Sequence, residues 1–171
     1  FLIALNKKLR DLNWFANSQV EEPNLLEYLD LVALGTVCDV VPLIGLNRAF
    51  VKQGLKIMKK RKNLGLKTLY DMCNIESEPS TYHIGYILGP KLNAGGRVGQ
   101  SSYGSELLTS SNPKRTFELA HELIKYNKER QFFEQKLMNQ VENEALKYTN
   151  DPVLILSGDG WHEGIIGIVA A

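Results

Sequence analysis

LDLVALGTVCDVVPL, residues 29–43, is an apolar run with one carboxylate at its start, Asp30, and one in its interior, Asp39. An ionised carboxylate buried and unpaired among Val37, Cys38, Val40 and Val41 would cost roughly 3–5 kcal/mol, so a buried Asp39 requires a cation. Two readings follow. Pro42 stops any helix and Gly35-Thr36 loosens it, which makes Asp39 a polar group at a helix end. Alternatively, Asp39 is a metal ligand held on a dry, rigid wall.

Upstream, Leu2, Leu5, Leu9, Leu12 and Phe15 or Ala16 recur at helical spacing, with Lys7, Lys8, Arg10 and Asp11 on the other side. This predicts an amphipathic helix over 1–16, packed against a partner. A polar connection follows, and Asn24 is placed to cap a helix from about Leu25 toward Val37 that delivers Asp39 at its end. Downstream, Asn47 reads as the N-cap of a helix ending in Lys59-Lys60-Arg61-Lys62. Cations near a helix C-terminus are favourable by about 0.3–1 kcal/mol, which is reason enough for that basic run without a phosphate-binding role. Asn63-Leu64-Gly65 breaks the chain, a short helix follows, and Ser80 caps another that carries His83, read as structural.

Residues 89–99, GPKLNAGGRVG, gather four glycines and a proline around Asn93 and Arg97. Such a segment lets backbone approach a ligand and can form an anion-binding nest, with Arg97 as a forked phosphate donor. A tight structural turn in which Arg97 meets a carboxylate is the competing reading. After a short helix within 101–111, Asn112-Pro113 is a helix start, and no glycine or proline intervenes before Tyr148. At 1.5 Å per residue this predicts a rod of roughly 50–55 Å. Its apolar stripe includes Phe117, Ala120, Leu123, Phe132, Phe133, Leu137 and Val141, and its polar face, with His121, Lys128, Arg130 and Gln131, reads as solvated. Asn150-Asp151-Pro152 ends it. Val153–Leu156 reads as a buried strand, followed by Ser157-Gly158-Asp159-Gly160 and a helix from Trp161-His162-Glu163-Gly164, an arrangement able to cradle phosphate.

The chain has 171 residues, 44% hydrophobic and 23% charged, with a formal net charge of +1. That composition fits an ordered globular chain and gives no global signal for nucleic acid, so any such contact must come from local patches. Cys38 and Cys73 show no metal-ligand spacing and read as reduced thiols of a cytoplasmic protein. Phe1–Leu5 is too short to span a membrane. The start at Phe1 and the stop within an apolar helical pattern suggest a piece of a longer protein.

Three blocks in order, residues 29–43 with LNRAFVKQGL (46–55), GPKLNAGGRVG (89–99) and GDGWHEGIIGIVAA (158–171), resemble the RecJ family of DHH phosphoesterases. Together with NKERQ (127–131) the resemblance runs along nearly the whole chain. Lys91 and Gly95 stand where the family commonly has arginine and alanine, changes that keep charge and small size.

The resemblance implies an α/β fold, here a mostly helical fragment in three parts. Residues 1–111 would be the C-terminal part of a DHH catalytic domain, 112–150 a long connecting helix, and 151–171 the start of a DHH-associated domain. It further implies a metal-dependent 5′-to-3′ exonuclease acting on single-stranded DNA in repair and recombination, using two manganese or magnesium ions. Asp39 would be a catalytic metal ligand. Asn93, Arg97, Trp161, His162, Glu163 and Gly164 would contact DNA, with Arg48, Gly95 and Gly96 as structural support. Single-stranded DNA is the implied partner, with a single-strand-binding protein and a helicase as further ones and no membrane. No DxD or Asp-His-His motif occurs in residues 1–171, so the fragment alone is expected to be inactive. The alternatives are another DHH phosphoesterase, cutting oligonucleotides, cyclic dinucleotides or polyphosphate, and a non-catalytic replication scaffold.

Overall fold

The computed structural model describes residues 1–148 and 153–170. All regular structure among them is helical, and the chain divides into two compact units, 1–60 and 61–171. The strand expected at Val153–Leu156 is not formed. A strand needs a laddered neighbour to satisfy its backbone, and no strand occurs among the described residues to provide one. Val153 and Ile155 are accordingly 72% and 92% exposed. The expected helix end at 150–152 lies outside the described residues.

In the first unit, α1 (Leu2–Asp11) and α2 (Trp14–Ser18) replace the single helix expected over 1–16. The break is at Asn13, whose left-handed backbone (φ 51°) suits asparagine better than most residues. Neither helix buries a residue fully: of the face expected to pack, Leu2, Leu5 and Leu12 are exposed and Leu9 and Phe15 half-buried. Asn6 and Arg10 hold Glu22 from α1. The Asn24 side chain accepts from the Leu26 N–H at 3.2 Å and starts a 3-10 turn, Leu25–Tyr28, that runs into α3 (Leu29–Cys38). Helix α4 (Gly45–Met58) packs against α3 at close range. A Cβ on Gly54 would lie 2.2 Å from the Leu29 carbonyl oxygen, so only glycine permits this approach. Ala33, Leu34 and Val51 are buried.

The second unit is built on one long helix. It starts with α5 (Leu64–Met72), whose N-cap Asn63 accepts from Leu66 N–H at 2.9 Å and donates to the Leu108 carbonyl at 2.9 Å. Arg61, from the basic run, pairs with Asp71 at 2.6 Å, donates to the Ile75 carbonyl and lies over the Tyr70 ring, so it is a structural residue. His83 is structural as well, bonded to Ser77 and Ser80 and edge-on to Tyr70 and Tyr82. A π-helical stretch, His83–Leu88, leads into α6 (Gly89–Val98), then α7 (Tyr103–Thr109) and α8 (Pro113–Ala145).

Helix α8 runs 33 residues, and Asn112 caps it by accepting from the N–H groups of Lys114 and Arg115. Its first half buries Thr116, Leu119, Ala120 and Leu123, and α5, α6 and α7 pack on it. Arg115 grips Glu106 of α7 through two bonds, at 2.6 and 2.9 Å. The second half is more open, with Leu137 buried and Phe132 exposed. A 3-10 turn, Leu146–Tyr148, ends it, and α9 (Glu163–Val169) packs back on both α6 and α8 through the fully buried Ile165.

Candidate nucleic-acid interface and metal ligand

In the first unit Asp39 is the C-cap of α3, at a turn closed by two backbone bonds. Val41 N–H reaches the Thr36 carbonyl at 3.1 Å and Val40 N–H the Val37 carbonyl at 3.1 Å, the paired pattern of a Schellman motif. That motif needs a left-handed residue after the cap, and Val40 supplies it with φ 55°. Glycine is the usual occupant; a β-branched side chain there is strained by about 1–3 kcal/mol. The turn is then clamped by Asn47, whose side-chain amide donates to the Pro42 carbonyl at 3.2 Å. Asn47 is therefore not the N-cap expected of it, since α4 already begins at Gly45. Arg48, expected to clamp this loop, is exposed and makes no side-chain hydrogen bond or ion pair among the described residues.

Asp39 is exposed, which removes the desolvation argument for a dry metal wall. Its carboxylate makes no hydrogen bond or ion pair among the described residues and is open to solvent. As a hard oxygen donor with free lone pairs it fits a contributor to a manganese or magnesium site. Among the described residues no three His, Cys, Asp or Glu side chains come together as a metal site, so this chain offers a ligand and not a complete centre. The neighbouring Cys38 is pushed up to about 11 by burial, with the Asp39 charge adding to the effect, so it stays a neutral thiol and is no competing nucleophile.

In the second unit, GPKLNAGGRVG is not a glycine loop. It is the body of α6, so its interior N–H groups are spent on the helix ladder and form no anion nest. Packing outweighs the helix cost of glycine, about 1 kcal/mol each, because Ala94 and Gly95 are buried and a Cβ on Gly95 would meet the Gln100 carbonyl oxygen at 2.5 Å. Gly96 has open space where a side chain would be. Asn93 and Arg97 are exposed on this helix.

The end of α6 meets the start of α9. Arg97 Nη1 donates to the Gly164 carbonyl at 3.3 Å, and a Cβ on Gly164 would sit 2.2 Å from the Arg97 carbonyl oxygen. The two segments are thus locked together, although 67 residues separate them. Gly164 is a packing residue, set against the Arg97 backbone, and not a surface contact. His162 is the N-cap of α9: its Nδ1 accepts from the Gly164 N–H at 3.1 Å. A nitrogen that accepts carries no proton, so the neutral ring holds its proton on Nε2 and presents an N–H donor there. The same ring stacks on Phe133 of α8, with centroids 5.8 Å apart and planes at 22°. Trp161 lies over Gly158, where a Cβ would be 2.4 Å from the indole nitrogen, so the indole is fixed by its own loop. Glu163 is exposed in the first turn of α9.

Of the expected set, the structure brings Arg97, His162 and Gly164 together, with Trp161 and Glu163 on the same loop and Asn93 on the same helix as Arg97. Sequence reading missed the wall that α8 adds. Phe133, Lys136, Leu137 and Gln140 recur at the helical spacing of one face, and with Asp159, Gly160, Trp161, His162 and Ile165 they line a pocket of about 160 Å³.

No family model matches the chain. The single-stranded-DNA-specific exonucleases RecJ of Dickeya dadantii strain 3937 and Escherichia coli strain K12 are each 37% identical over 177 aligned positions, covering 99% of this chain and 31% of the relative. Along nearly its whole length the chain is similar to one segment of RecJ. Two crystal structures of RecJ from Thermus thermophilus, one in complex with Mn2+ and one with Mg2+, match at a TM-score of 0.77 and 30% identity. They cover 91% of this chain, which in turn covers 23% and 24% of them. The chain therefore spans about a third of the curated RecJ relatives it matches. Among the described residues no helix is long and apolar enough to cross a membrane.

Proposed function

We propose that this RecJ segment serves a protein that hydrolyses single-stranded DNA from the 5′ end by two-metal phosphodiester cleavage, in DNA repair and recombination. The supporting observation is the match to RecJ along 99% of the chain, joined to the meeting of Arg97 and His162 at the α6–α9 junction. Residues 1–111 would belong to the catalytic DHH domain, 112–150 to a connecting helix and 151–171 to the DHH-associated domain.

The residues divide the work by their chemistry. Asp39 would give a metal one carboxylate oxygen; bound metal lowers the pKa of a water and stabilises oxyanions in such reactions. Arg97 commits one N–H to the Gly164 carbonyl and keeps the others of its guanidinium for phosphate oxygens. The bond to α9 aims the side chain, which reduces the entropy lost on binding. His162 donates from Nε2 while its capped Nδ1 fixes the tautomer. Asn93 and Glu163 are exposed at the rim, where Asn93 can donate to a sugar or phosphate oxygen. The cytoplasmic setting and contacts with a single-strand-binding protein and a helicase belong to the same reading. With one carboxylate ligand and no second centre among the described residues, the segment alone would not cleave DNA.

The test uses the full-length protein that carries this segment, with manganese and 5′- or 3′-labelled single-stranded and duplex DNA. Loss of single strands from the 5′ end, abolished by Asp39→Asn, is the expected result. Intact DNA with the unaltered protein would refute the exonuclease reading.

A further inference from the structure

The pocket beside His162 is lined by groups of mixed character. Phe133 and Trp161 offer ring surface, Lys136 and Gln140 stand one helical turn apart on α8, and Asp159 adds a carboxylate to the lining. Its volume of about 160 Å³ suits a single flat ring system and not a folded peptide or a sugar chain.

Charge decides what kind of group belongs there. A phosphate would meet Lys136 but also the Asp159 carboxylate, and like charges at short range oppose binding. A neutral heterocycle has no such conflict. The rings of Phe133, Trp161 and His162 are all in the lining as apolar and stacking surface for it, and its edge carries donors for Asp159 and the Gln140 carbonyl and acceptors for Lys136 and the Gln140 amide. Rigidity favours the same occupant. The imidazole is fixed by its cap bond to Gly164 and by stacking on Phe133, and the indole by its seat on Gly158. A platform already fixed loses little entropy when a ring stacks on it.

We infer that this pocket seats one unpaired nucleobase of a single-stranded nucleic acid. The inference rests on the proposed DNA-binding role and deepens it: the phosphate lies at Arg97 and the His162 Nε2–H, and the base attached beside it enters the pocket. A base held in a duplex has its edge paired and both faces stacked, so it cannot enter, and the pocket discriminates against double strands without reading sequence.

The experiment is an abasic scan on the full-length protein. Single strands carrying one tetrahydrofuran spacer at successive positions are titrated by fluorescence anisotropy without divalent metal. One position should weaken binding about tenfold, as expected for the loss of one stacked base. A Lys136→Ala/Gln140→Ala variant should weaken the intact strand and no longer respond to the spacer at that position. Both substitutions are on the exposed side of a helix and keep its propensity, and circular dichroism checks the fold. Tight binding with no sensitive position would overturn the base seat and leave the DNA-binding reading standing, as would a sensitive position that the variant retains in full. Failure to bind any single strand would overturn both. Free deoxynucleosides competing at millimolar concentration with the strand would show that the base alone suffices, in support of the seat.

Discussion

The Asp39 turn and the α6–α9 junction solve opposite problems. At the turn the functional group is free: the carboxylate is exposed, and the strain sits in the neighbouring Val40 backbone and the Asn47 clamp. At the junction the functional groups are also the fasteners. Arg97 and His162 both bond to Gly164, and their unused nitrogens are what remain for a ligand. Chemistry and stability should therefore separate at the turn and move together at the junction.

The largest effect expected is at the turn. Asp39→Asn removes the anionic donor and keeps the shape, so nuclease activity of the full-length protein should fall by more than about a hundredfold, beyond the cost typical of losing a residue outside the ligand set. Its unfolding free energy should stay within about 0.5 kcal/mol, as for a surface position. Equal loss of both, measured by activity assay and chemical denaturation, would break the separation. At the junction, Gly164→Ala places a methyl against the Arg97 carbonyl and should destabilise by about 1–3 kcal/mol while also weakening DNA binding. Gly96→Ala is the control: the space is open, the residue is helical, and a gain of roughly 0.5–1 kcal/mol is expected.

The strain at Val40 offers a second way to sharpen the contrast. Val40→Gly should stabilise the fold by about 1–2 kcal/mol, the penalty a side chain pays in the left-handed region, offset in part by glycine's extra freedom in the unfolded chain. If activity falls as stability rises, the strained turn is holding Asp39 in place. Unchanged activity would make the strain a tolerated cost.

What could be read from the sequence divides along the same physical line. Local signals were legible. Asn24 and Asn112 each cap a helix with the side-chain oxygen as expected, the break at Asn63 is a third such cap, and a run without glycine or proline became the 33-residue helix α8. Signals that depend on distant packing were not. The glycines of 89–99 announce a loop locally, yet they serve a helix whose buried face needs small residues where Gly95 meets the Gln100 carbonyl. The Arg97–Gly164 lock joins residues 67 apart, and no local pattern encodes it. Val153–Leu156 has a strand's composition without a strand's neighbour, and composition alone does not make a ladder. His162 showed both faces of the problem: its position before a helix was legible, whereas its stacking on Phe133 was not.

Acid titration should give the smallest effect and the one with opposite signs in the two units. In the second unit the hydrogen bonds from Arg115 hold the Glu106 carboxyl below the usual carboxylate range, with the guanidinium charge adding to them against an opposing effect of desolvation. A lowered folded pKa gives stability that is present above the unfolded value and is lost as pH falls through the folded one. In the first unit burial pushes Asp30 up, although its carboxylate accepts the Leu31 N–H at 2.8 Å. A raised folded pKa works the other way: the fold is favoured below the unfolded value, and that advantage is lost as pH rises through the folded one. At pH 7 Asp30→Asn should therefore stabilise, since an amide keeps the acceptor oxygen without the buried charge, and Glu106→Gln should destabilise. Below about pH 3, under the ordinary carboxylate pKa, the Asp30→Asn difference should vanish, while that of Glu106→Gln should shrink only once its lowered pKa is passed. Denaturation midpoints of the two variants and the unaltered protein, measured from about pH 7 to about pH 2, check both slopes. Parallel slopes would mean that Asp30 and Glu106 titrate in one common environment, and the contrast between an isolated buried carboxylate and a paired surface one would fail.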